Sequence, residues 1–261
     1  MLQALKELIK YRDLFYMLTL RDIRIRYKQA VMGFLWAIFM PIVAVAAGIL
    51  IKQAMAVVSG HSIDMLSVVS ISVKVLPWTF FISSIRFAVQ SLVGNSNLVT
   101  KIYFPRAVLP LASIAACLYD LAISVVVLVV ILCFVHLGVS IYILWTPLIL
   151  LFLVFFTTGL GLLLAAANLF FRDVKYVVEI ILMFGIFFTP VFYDADSLGR
   201  LKVFMLLNPV GSILEALNHA VVLKQMPDLH WLIYAGVTSV VMFYVGMLVF
   251  HSKEQSFAEN I

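Results

Sequence analysis

Apolar residues in this chain run in blocks of membrane-spanning length, and the polar residues gather between the blocks. About 20 consecutive apolar residues in a helix are enough to cross roughly 30 Å of hydrocarbon. Residues 31–51 predict a first span kinked at Pro41, and residues 75–93 a second, with Lys74 at its outer end and Arg86 inside it. Residues 107–135 predict a third span, long enough to tilt, with Asp120 well inside. The fourth runs over 141–168, the fifth over 176–193 with Pro190 breaking its outer end, and the sixth over 230–250.

Three stretches carry a different pattern. At the start, Leu2, Leu5 and Ile9 share one helical face against Lys6, Lys10 and Asp13, which suits a helix lying in the interface. Between spans two and three, turn and cap residues at Gly94 to Asn97 introduce a short amphipathic helix that ends before two prolines. Residues 201–223 are apolar but interrupted by Asn208, Pro209, Ser212, Glu215, Asn218 and His219, too polar to cross hydrocarbon, so two short re-entrant helices are expected. Asn208 as cap and Pro209 at the first helical position would start the second of these, with Ser212, Glu215 and Asn218 on one face. The expected fold is an all-α polytopic membrane protein with six transmembrane helices. It forms one transmembrane domain over 1–261: an interface helix over 1–28, spans one to five over 31–193, re-entrant helices over 201–223 and span six over 230–250.

Composition agrees, with 64% hydrophobic and only 12% charged residues against about 25% in soluble domains. The net charge of +5 is clustered beside apolar blocks, so it points to membrane topology and away from nucleic acid. Twelve Lys and Arg residues fall on the N-terminal side of the predicted spans and five on the other, with Arg86 inside a span, which predicts both termini in the cytoplasm. Charged residues among those of the N-terminal stretch leave no clean signal peptide. Cys117 and Cys133, both in apolar sequence, suggest neither a disulfide nor a metal site.

No phosphate-binding loop of the G-x-x-x-x-G-K-[ST] type is present, so ATP hydrolysis is not expected in this chain. The histidines at 61, 136, 219, 230 and 251 show no metal-ligand spacing, and no catalytic set can be assembled. Asp194 and Asp196 stand together at an outer edge; they suit a solvated turn or, alternatively, an enzyme that processes lipid-linked sugars. Arg86 and Asp120 are each expensive alone in hydrocarbon and are expected to pair. Glu179 lies near the inner end of span five, where solvation is the ordinary state. Phe184, Phe188 and Phe192 recur every four residues along span five, which fits lipid-facing packing or a ladder on which sugar rings stack.

The basic stretch from Arg21 to Pro41, RDIRIRYKQAVMGFLWAIFMP, together with FFRDVKY, FFTPVFY and LNPVGSILEA, resembles the ABC exporter permeases of the Wzm/TagG polysaccharide family, most of all their O-antigen branch. The likeness runs over nearly the whole chain. It implies a half-transporter that forms a homodimer in the bacterial inner membrane and binds two copies of a separate ATP-binding subunit. ATP and magnesium would be held by that partner, and this chain would carry no cofactor. The cargo would be a lipid-linked polysaccharide: O-antigen, or alternatively capsule polysaccharide or teichoic acid. A polytopic enzyme acting on lipid-linked sugars, or a channel-like structural protein, are the alternatives from other classes. From the family, Asn97, Leu98, Val99, Lys101 and Tyr103 are expected to couple to the ATPase, and Asn208, Pro209 and Glu215 to belong to a periplasmic gate. Trp36 and Phe39 are expected to line the translocation path together with Phe184, Phe188 and Phe192.

Overall fold

The computed structural model describes residues 10–28, 33, 35–59, 65–102, 104–136, 138 and 140–258. The expected amphipathic face over residues 2–9, and Tyr103, lie outside these residues. Among the described residues every regular element is helical. Helix α1 (Arg12–Tyr27) carries the basic stretch and buries Leu18. Helix α2 (Leu35–Ser59) contains Pro41, and α3 (Met65–Gly94) contains Pro77. The short α4 (Ser96–Lys101) leads to α5 (Val108–Phe134). A 3-10 turn over Ile141–Trp145 runs into α6 (Thr146–Phe170), which is followed by α7 (Val174–Gly185). Two short helices, α8 (Lys202–Leu206) and α9 (Pro209–Val221), precede α10 (Leu229–Lys253).

Among the described residues, five helical stretches are long and apolar enough to cross a membrane: Leu35–Ala54, Met65–Gly94, Val108–Phe134, Ile141–Phe170 and Leu229–Lys253. The expected fifth span does not reach that length. Helix α7 has 12 residues, and after one 3-10 turn over Ile186–Phe188 the backbone turns extended at Thr189, next to Pro190. At ~1.5 Å per residue, α7 covers about 18 Å, short of the hydrocarbon thickness. The second expected span is the opposite case. It starts at Met65, ten residues earlier than the hydropathy block, so Lys74 is interior and not an outer flank.

Helices α3, α5, α6 and α10 form the packed body. Its tightest seam joins α6 to α10, where glycines let the backbones meet. A Cβ on Gly159 would strike the Met242 carbonyl, and one on Gly246 would strike the Gly159 carbonyl, so neither position has room for a side chain. Close backbone approach at small residues is how helices associate where no hydrophobic force acts between them. At the end of the body that holds α1, a second buried cluster joins Leu18, Leu92, Val99, Val108, Leu169 and Phe250. Phe257, in a 3-10 turn after α10, is fully buried there against Phe250 and Phe170. The neighbouring Glu254 accepts a hydrogen bond from the Arg106 backbone N–H at 2.6 Å, and its carbonyl accepts from the Arg106 guanidinium.

Candidate functional site

At the end of the body away from α1, a charged cluster is built by residues distant in sequence. Lys74 is 1% exposed in the interior of α3. Its ammonium donates to the Tyr193 carbonyl at 2.8 Å and to Asp194 Oδ1 at 2.7 Å, and lies 3.6 Å from Glu215 Oε2. Asp194 also accepts from the Ser70 hydroxyl at 3.1 Å and from the Asn218 amide at 3.4 Å, and Lys52 of α2 lies 3.6 Å away. One carboxylate thus draws together α2, α3 and α9. Burial pushes Asp194 upward, but Lys74, Lys52 and the Ser70 hydroxyl outweigh it and hold the carboxyl below its usual range. Glu215 is driven the other way. Its burial, with Asp194 nearby, raises it more than Lys74 and His219 lower it.

The local sequence explains the placement of α9. The Asn208 side-chain oxygen accepts from the Val210 N–H at 3.1 Å and so caps the helix, while its amide donates to the Thr189 hydroxyl at 2.9 Å. Pro209 occupies the first turn, where its missing N–H costs nothing. The face predicted by the spacing is the buried one: Ser212, Glu215 and Asn218 are all hidden from solvent. Ser212 donates to the Leu206 carbonyl at 2.5 Å, tying α9 back to α8.

The expected pair of Arg86 with Asp120 does not form. Arg86 makes a two-pronged contact with Glu179 of α7 at 2.8 and 2.9 Å, so Glu179 is a partner and not merely a solvated residue. Asp120 is held from α1, where Arg26 donates at 2.5 Å and the Tyr27 hydroxyl at 2.6 Å. Each charge finds its partner on a neighbouring helix instead, since α1 packs along α5 and α7 along α3. Burial and then the Asp120 hydrogen bond push the Tyr27 phenol upward. The Arg26 guanidinium also lies 4.0 Å from the centroid of the Phe87 ring.

Arg26, Tyr27, Phe87 and Asp120 line a cavity of about 500 Å³ whose apolar wall includes Trp36, Met40 and Phe80. Trp36 packs edge-on against Phe39 with ring centroids 5.6 Å apart. Phe184 and Phe188 present rings that are 52% and 66% exposed, with Phe187 beside them. Phe192 does not extend that ladder. It follows the break at Thr189, is half-buried, and lies close to Gly48 of α2. In α4, Val99 is buried and anchors the helix, whereas Asn97 and Lys101 are exposed.

Asp194 and Asp196 are not a plain solvated turn, since Asp194 joins the buried cluster and Asp196 pairs with Lys202 at 2.6 Å. Lys74 was missed as a site residue because a lysine beside an apolar block ordinarily reaches back to the interface. The nearest signal was the Asp194 and Asp196 pair, which supplies its partner.

Comparison with known proteins agrees with this architecture. The chain is similar to the O-antigen export system permease protein RfbA of Myxococcus xanthus, 27% identical over 264 residues that cover 100% of both chains. It is also similar to a protein of that name from Klebsiella pneumoniae, 26% identical over 251 residues, 95% of this chain and 94% of the relative. Residues 13–222 match the family described as ABC-2 type transporter, so this multi-pass chain belongs to that family and is the membrane permease of a transporter that works with an ATP-binding subunit.

Proposed function

We propose that this chain is the transmembrane half of an ATP-driven exporter that moves lipid-linked O-antigen polysaccharide across the bacterial inner membrane. The observation that carries the reading is the likeness, over the full length of the chain, to permeases named for O-antigen export. Two copies pair around a central path, and each engages one separate ATP-binding subunit that holds ATP and magnesium. Both termini lie in the cytoplasm, in keeping with the excess of Lys and Arg on that side. The exposed side chains of α4, anchored by Val99, receive the movement of the ATPase. Helix α7 supports a paired state because it is too short to span alone and leaves Phe184, Phe187 and Phe188 uncovered. Helices α8 and α9 form the outer gate.

The test is an in-frame deletion that leaves the neighbouring genes intact, with complementation by the wild-type chain. Surface O-polysaccharide should disappear while lipid-linked polymer accumulates inside, and complementation should restore it. Undiminished surface O-polysaccharide in the deletion strain, or loss of a different surface polymer, would overturn the assignment.

A further inference from the structure

Around His219 the charged cluster takes an arrangement that ion pairing alone does not account for. The Nε2 atom of His219 lies 3.7 Å from Asp196 Oδ2 and 3.8 Å from Glu215 Oε1, too far for good hydrogen bonds. The three ligand atoms lie within 4.8 Å of one another. Each carboxylate is divided in the same way. Asp196 gives Oδ1 to Lys202 at 2.6 Å and turns Oδ2 toward His219; Glu215 gives Oε2 to Lys74 at 3.6 Å and turns Oε1 toward His219. One oxygen of each carboxylate faces an ammonium group, and the other faces His219.

Glu215 supplies a second, independent observation. It is 5% exposed, and neither carboxylate oxygen receives a hydrogen bond. A buried carboxylate without donors is costly unless something positive completes it. Lys74, at 3.6 Å and already bonded to Asp194 and the Tyr193 carbonyl, completes one oxygen only in part. Next to Glu215 and His219 lies a cavity of about 20 Å³, bordered also by Lys202, Asp228 and Trp231. That is room for about one water or one ion.

We propose that Asp196, Glu215 and His219 form a binding site for a first-row divalent cation, with Zn²⁺ the best match. Two ligands about 2.1 Å from a tetrahedral ion stand about 3.4 Å apart, so the two separations from His219 close by a few tenths of an ångström and the two carboxylate oxygens, within 4.8 Å of each other, by up to about 1.4 Å. One imidazole nitrogen with two carboxylate oxygens suits zinc and its neighbours, whereas calcium and magnesium favour all-oxygen shells. Glu215 and His219 stand at i and i+4 on one face of α9, and Asp196 comes from the 3-10 segment Ala195–Leu201, so the ion would staple that segment to α9. The surrounding charge admits it. Asp194, Asp196, Glu215 and Asp228 outnumber Lys52, Lys74 and Lys202, which leaves the cluster net negative.

The experiment uses the full chain purified in nanodiscs, stripped with chelator and titrated with Zn²⁺ alone, followed by calorimetry and by metal analysis after dialysis. Co²⁺ serves as a spectroscopic substitute whose visible bands report imidazole ligation. One ion should bind per protomer and raise the melting temperature. Asp196→Asn and His219→Gln should each weaken binding by at least about tenfold and abolish the Zn²⁺-dependent rise in melting temperature. His230→Gln, at the same end of the molecule, should bind as the wild type does. Both ligand variants place a neutral polar amide at the position, and their melting in the absence of metal shows that they fold. No saturable binding, binding that survives both substitutions, or binding lost in His230→Gln would overturn the site. None of these readouts depends on export.

Discussion

Replacing Lys74 by Met tests whether the buried ammonium holds the outer half of the molecule together. Met has similar length and volume, so packing is nearly kept and the charge is removed. At an effective dielectric of about 20, the contacts at 2.7 Å to Asp194 and 3.6 Å to Glu215 correspond to about 6 and about 5 kcal/mol of attraction. Desolvation of the ammonium cancels much of this. Removal of one partner from a buried pair typically costs about 3 to 5 kcal/mol, because the other partner is left charged and unpaired. Asp194 is 42% exposed and water screens its share, whereas Glu215, with a side chain 7% exposed, has no such relief. The expected loss is therefore about 3 kcal/mol, roughly two powers of ten in the folded-to-unfolded ratio. Equilibrium denaturation in bicelles measures it. The triple variant Lys74→Met, Asp194→Asn, Glu215→Gln, which carries no charge at these positions, should recover at least about 2 kcal/mol. If Lys74→Met lies within about 0.5 kcal/mol of the wild type, or if the triple variant is no more stable than the single one, the charge argument fails.

Replacing Phe184 and Phe188 by Leu keeps apolar area but removes the ring faces; if they line the path, surface polysaccharide should fall while protein level and ATPase activity stay normal, and unchanged export would count against a path role. Gly246→Val should separate α6 from α10 and cost at least about 2 kcal/mol, read as a loss of folded protein in the same denaturation assay. The two shifted carboxylates give opposite pH slopes. Asp194, lowered in the fold, contributes stability that is present above about pH 4 and is lost as pH falls through its folded value, so Asp194→Asn should flatten the acid limb of the stability curve. Glu215, raised in the fold, contributes stability present below its unfolded value of about 4.3 and lost as pH rises through its folded one. Glu215→Gln should therefore gain progressively on the wild type as pH rises above about 4.

Hydrophobic block length and cap chemistry read the helices well, because both are local. Asn208 and Pro209 start α9 where their chemistry says, and five apolar blocks emerge as long helices. In the fifth expected span the continuous helix is shorter than the apolar run, because hydropathy registers apolarity and not backbone continuity. The apolar run continues through Thr189 and Pro190, but the helix does not. Charge partners were the least legible. Arg86 and Glu179 lie 93 positions apart, as do Tyr27 and Asp120, and nothing along the chain selects among the carboxylates available to a given arginine. A lysine beside an apolar block looks the same in sequence whether it reaches water or, like Lys74, is enclosed by a loop arriving 120 residues later.

In the proposed coupling role of α4, the clasp between Arg106 and Glu254 would make it a loaded beam and not a free lever. The segment that follows α4 is bolted through Arg106 to the turn that ends α10, and Phe257 seats that turn between Phe170 and Phe250. In that role a push delivered to α4 would divide between the base of α5 and the foot of α10. Because α10 is fused to α6 along the Gly159 and Gly246 seam, the load reaches two long helices as a single rigid strut.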